Sequence, residues 1–187
     1  MIIPSARRSA LSGVGWVTHA TLSPPLVPTS NSGLSLWPIG DRLYVGHGEW
    51  TTNLGPTNVL SAGLSGDVIT HLEAAPTEAL NAFRVIDGAI YAPYTDPQGV
   101  EQGAYGGYAT NADGTWRKVK MDVPMVHTFD VVKTSHGLFM SGSARAVDGS
   151  TTEPVVVKST NGGTTWTEVK AGHRKSLGRY YGIHAED

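Results

Sequence analysis

The residues that can do chemistry are few and scattered. His47, Gly48 and Glu49 lead into Trp50, putting an imidazole, a carboxylate and an indole within four positions. Such a set suits stacking on a sugar ring or on a partner's side chain, and the plainer reading is an aromatic folded back over its own loop. Tyr94 with Asp96 can orient a hydroxyl-rich ligand, although Asp96-Pro97 is also an ordinary turn opener. Arg145 and Asp148 read as a solvated loop. Seven histidines raise the question of metal, but none has ligand spacing, and His47 with Glu49 alone is too small a set, so no metal site is expected. The chain has no cysteine, which excludes disulfides, thiolate catalysis and cysteine-ligated metal centres. No cofactor is expected.

The elements that must carry these groups follow from a repeat. Ser159-Thr160-Asn161-Gly162-Gly163-Thr164-Thr165-Trp166 is followed by alternating polar and apolar residues. Fifty residues earlier Ala109-Thr110-Asn111-Ala112-Asp113-Gly114-Thr115-Trp116 does the same, and forty-eight residues before that Ser61-Ala62-Gly63-Leu64-Ser65-Gly66-Asp67-Val68 keeps the spacing but lacks the tryptophan. A short amide side chain at a tight turn accepts bonds from nearby backbone N–H groups, glycine permits positive φ, and the indole plugs the space between sheets. Asn111, Trp116, Asn161, Gly163 and Trp166 are therefore expected to be structural.

A second feature precedes each of these hairpins. Residues 36–45, from Leu36 through Val45, align without gaps to 83–92, and with two extra residues to 129–140. Each copy reads as a strand, a turn and a second strand, so two hairpins make a four-stranded unit of roughly 45 residues, the size of a propeller blade. The expected fold is all-β, a β-propeller-like array of four-stranded antiparallel blades at 34–73, 81–121 and 128–171. The first strand of a fourth blade follows in 179–187. Residues 1–33 form an N-terminal arm in which 15–22 can add one strand. Trp37, Arg84 and Asp130 occupy equivalent inner-strand positions, so Arg84 and Asp130 on adjacent blades can pair or grip a ligand.

The hairpins at 109–116 and 159–166 resemble the Asp-box, or BNR repeat, whose pattern is Ser-x-Asp-x-Gly-x-Thr-Trp, found in sialidases and many other propellers. Asn stands for Asp in both copies, and Asp113 takes the usual glycine place in the earlier one. The resemblance implies a propeller and raises a glycoside hydrolase as the alternative function. Sialidases use three arginines, a tyrosine nucleophile helped by a glutamate, and an aspartate acid. Arg84, Arg174, Arg179 and Tyr180 or Tyr181 are present without falling into that pattern, and Phe83-Arg84-Val85-Ile86 is a faint echo of the Phe/Tyr-Arg-Ile-Pro element. An Asp-box reports a hairpin and not a reaction.

Three blades and a stub do not close a ring, and closure is what removes sheet edges. The favoured expectation is a non-catalytic binding or structural module, such as a subunit of an extracellular or virion surface assembly of the phage-tail kind. Its partners would be other protein chains, copies of itself or different subunits, that complete the sheets; a glycan is a further candidate. Lys plus Arg is 14 against 16 for Asp plus Glu, a net charge of −2 with no basic block, which argues against nucleic acid. No apolar run is long enough for a membrane helix. Arg7 and Arg8 ahead of 10–17 outline a secretory signal, but Ser12, Gly13, Gly15 and Trp16 make a poor apolar segment, so the stretch reads as mature sequence.

Overall fold

A computed structural model describes residues 32–48, 55–96, 106–145, 152–171 and 179–185. They form an all-β array of three antiparallel sheets in chain order. Sheet one contains β1 (Ser32–Ile39), β2 (Arg42–Gly48), β3 (Thr57–Gly63) and β4 (Val68–Ala75), with the short β5 (Ala79–Leu80) added beside β2. Sheet two contains β6 (Arg84–Ile86), β7 (Ala89–Pro93), β8 (Gly107–Thr110) and β9 (Arg117–Lys120). Sheet three contains β10 (Met125–Thr134), β11 (Gly137–Arg145), β12 (Thr152–Ser159) and β13 (Thr167–Ala171). Each sheet is an up-and-down meander, the strand order of a propeller-like blade.

The local chemistry explains the hairpins. Asp87 and Gly88 take φ of 51° and 79°, the left-handed pair that matches the twist of strands joined by a two-residue turn. In the corresponding β1–β2 turn Gly40 takes φ of 62°. The β4 strand shifts register on either side of Val59, and there Ala74 sits at φ 51° with its N–H on the Asn58 side-chain oxygen.

Two apolar layers hold the sheets face to face. Between sheets one and two lie Tyr44, Val59, Phe83, Ile90, Tyr94 and the half-buried Trp116. Between sheets two and three lie Tyr91, Tyr108, Val131, Trp166 and three methionines, Met121, Met125 and Met140. Polar stitches run beside them. The Thr128 hydroxyl lies 2.7 Å from the Gly107 carbonyl and accepts from Tyr94 N–H at 2.9 Å, tying sheet three to sheet two.

Residues 179–185 occupy the expected place of a fourth inner strand. Tyr180 N–H donates to Gly142 O at 3.3 Å, repeating the Thr128 N–H bond to Tyr94 O at 2.9 Å one sheet earlier. The Tyr181 ring lies 4.6 Å from that of Phe129. The segment is not paired as a strand, because none of the described residues offers it a ladder. The expected strand at 15–22 lies outside the described residues.

Candidate functional site

The repeat brings Trp37, Arg84 and Asp130 into one row across three sheets. Arg84 Nε donates to Asp130 Oδ1 at 2.7 Å and Nη2 to Oδ2 at 2.8 Å, a bidentate pair between β6 and β10. On the other side the guanidinium lies 4.9 Å from the centre of the Trp37 ring, a cation–π contact. Asp130 is 3% exposed and also accepts from Val131 N–H at 2.9 Å and Ile183 N–H at 3.3 Å. The hydrogen bonds from Arg84 to the carboxylate raise the arginine's pKa, outweighing its own partial burial. Four donors to one carboxylate are what a buried anion requires. Arg84 is thus held by protein, with its side chain 38% exposed.

Beside this row a cleft of about 630 Å3 opens between the β6–β7 and β10–β11 hairpins, lined by Arg84, Asp87, Val131, Lys133, Ser135 and His184 among others. Lys133 and Asp87 form an ion pair between the two hairpins. Asp87 and Lys133 are forty-six residues apart, the same separation as Arg84 and Asp130, so two repeat positions carry opposite charges on adjacent sheets.

The loop-face candidates end up elsewhere. His47 is 6% exposed, its Nε2 lies 2.7 Å from Asn58 O, and burial holds its pKa down. Tyr94, its repeat equivalent, is 2% exposed, and burial raises its pKa. His47 lies near the end of β2 against β5, and Tyr94 follows β7 and packs in the layer between sheets one and two, so both side chains are buried. Trp50, Glu49 and Asp148 lie outside the described residues, as does the Arg145 side chain.

Asp96 joins a group that the sequence reading missed. His127 Nδ1 lies 2.8 Å from Ser143 Oγ, and its Nε2 lies 3.7 Å from Asp96 Oδ2. The ring stacks on Phe129 at 5.4 Å and 12°. These are the residue types of a serine-hydrolase relay, but Ser143 is 0% exposed and the histidine–aspartate distance exceeds a hydrogen bond. Burial, helped by the nearby Arg179 charge, lowers His127 to about 4, so it is neutral over most of the pH range. It pins sheet three to the end of sheet two. Asn81 and Thr95, one repeat earlier, make the same bond, Asn81 Nδ2 to Thr95 Oγ1 at 2.7 Å. That matched pair of positions was the available signal.

The structural residues divide. Asn161 caps its own turn, accepting from Thr165 N–H at 2.9 Å, while Ser159 Oγ accepts from Gly163 N–H at 2.9 Å. Asn111 instead reaches out of its turn to accept from Ile90 N–H on β7 at 2.6 Å, and Asp113 takes the turn N–H of Thr115 at 3.4 Å. Gly163 has φ of 88°, and a Cβ there would lie 2.2 Å from the Tyr108 hydroxyl. Trp166 Nε1 donates to Gly163 O at 3.1 Å. In sheet one, Arg42 does the clamping, donating from Nη1 to Asp67 at 2.7 Å and from Nε to Ser61 at 2.6 Å.

Among the described residues no three His, Asp or Glu groups gather at one point. Compared with known proteins, the chain matches no family model, no curated protein and no solved structure.

Proposed function

We propose that this chain is a non-catalytic binding or structural module, akin to Asp-box propellers in its hairpins, whose array is extended by other protein chains in an extracellular or virion surface assembly. One observation carries the reading. Positions that grip the preceding sheet in sheets two and three are uncovered in sheet one. Phe83 and Trp166 are 2% and 4% exposed, whereas Leu36 and Val68, at the equivalent places, are 64% and 36% exposed. Ile69 and Leu64 beside Val68 are exposed as well. At the other end Tyr181 is 66% exposed over Phe129. Apolar groups repeated at interface positions and left in water are suited to a further sheet. Arg84, which a sialidase-like enzyme would turn to its substrate, is instead bonded twice to Asp130, and this favours binding over hydrolysis.

Light scattering of the purified chain over a wide concentration range tests this. Association that rises with concentration is expected, and Leu36→Glu with Val68→Glu should return the mass to that of one chain without lowering Tm. A well-folded monomer at every concentration means the array is self-sufficient and overturns the reading.

A further inference from the structure

The cleft between the β6–β7 and β10–β11 hairpins belongs to a single chain, and its chemistry goes beyond assembly. It is a groove of about 630 Å3 that is largely open to solvent. Its polar groups come as donor–acceptor couples. Arg84 is matched to Asp130 and Lys133 to Asp87, both across the sheet boundary. Thr134 and Ser135 add hydroxyls at the β10–β11 turn, and His184 stands at the rim. Val85, 53% exposed, and the half-buried Val132 also line the cleft.

This pairing decides which ligand fits. A phosphate or carboxylate would need a cation to spare, and the four bonds that hold Asp130 keep Arg84 engaged. A cation would meet Asp87 already facing Lys133. A neutral molecule with adjacent hydroxyls uses both members of a couple at once, accepting from the cation and donating to the carboxylate. We infer that this cleft binds a neutral, hydroxyl-rich ring of the hexose class, with Lys133 and Asp87 as the principal polar contacts and Arg84 as a fixed wall.

The test is an amide-resonance titration of the intact chain with glucose, galactose, glucuronate and inorganic phosphate. A neutral hexose should move the resonances of 84–87 and 131–135 saturably. The double variant Asp87→Asn with Lys133→Met should weaken that binding about tenfold, the expected loss of two hydrogen bonds, at unchanged Tm, because an exposed ion pair contributes little to stability. The inference is overturned if no neutral hexose gives a saturable shift there, if glucuronate or phosphate binds more tightly than the neutral sugars, or if the double variant binds as well as the parent. The titration is run at a concentration where the chain's mass is known, so failure of the sugar site and failure of assembly are read separately.

Discussion

The two intersheet layers use the same repeat position to different depth. Trp166 enters the layer between sheets two and three at 4% exposure, meets Tyr108 edge-on with ring centres 6.1 Å apart, and hydrogen-bonds Gly163 O. Its N–H on the backbone is further held by Asp122 at 2.9 Å. Trp116 is only half-buried in the layer between sheets one and two, tilted against Tyr44 at 6.2 Å and His71 at 5.6 Å. Its platform is partly polar, since His71 lies 2.7 Å from Ser61 Oγ. Equal sequence spacing therefore does not mean equal energetic weight. What differs is whether the turn is capped by its own asparagine and whether the neighbouring sheet offers a dry pocket.

The largest effect should come from Trp166→Ala, about 3–5 kcal/mol as a buried aromatic truncation. Trp116→Ala should cost clearly less, about 1–3 kcal/mol, because part of that ring is already in water. Urea unfolding of both variants checks the ranking, and equal losses would mean the layers are energetically alike. Next is Gly163→Ala, where a left-handed backbone costs about 1–2 kcal/mol and the added methyl must displace the Tyr108 hydroxyl. Gly114→Ala carries only the backbone penalty, since φ is 85° but no atom lies within 4 Å of the new methyl. Thermal melts should show the first falling further than the second.

The last effect is confined to acid pH and leaves stability at neutral pH unchanged. His127 has its pKa lowered from 6.5 to about 4, so the folded state binds fewer protons than the unfolded state between those values. Its contribution is complete above pH 6.5 and is lost as the pH falls toward 4. His47 and His71 shift in the same direction through burial. His127→Asn copies the residue found one repeat earlier at Asn81, and should fold with a shallower fall in stability over that acid range. An unchanged slope would mean that His127 does not carry the acid sensitivity.

Much of the architecture was legible because it repeats. The Arg84–Asp130 pair followed from equivalent positions on adjacent sheets, and so did both tryptophan plugs. The side-chain partners of Asn111 were not legible, since an amide at that position reaches its own turn or the neighbouring strand, and Asp113 beside it tips the choice. His47 and Tyr94 read as loop residues because nothing in their spacing reveals that β5 lies against the first and that the second packs in the layer between sheets one and two. The His127–Ser143 contact joins residues on paired strands whose bulge between Thr128 and Asp130 hides the register.

The row through Trp37, Arg84 and Asp130 also fixes the order in which the sheets can sit. Each sheet presents a different group at one shared place, so the sheets are not interchangeable building blocks. Setting sheet three directly against sheet one would face the Asp130 carboxylate with an indole and strand a buried charge, a penalty of several kcal/mol. The row thereby acts as an address, admitting the native sequence of neighbours and rejecting a shuffled or domain-swapped one.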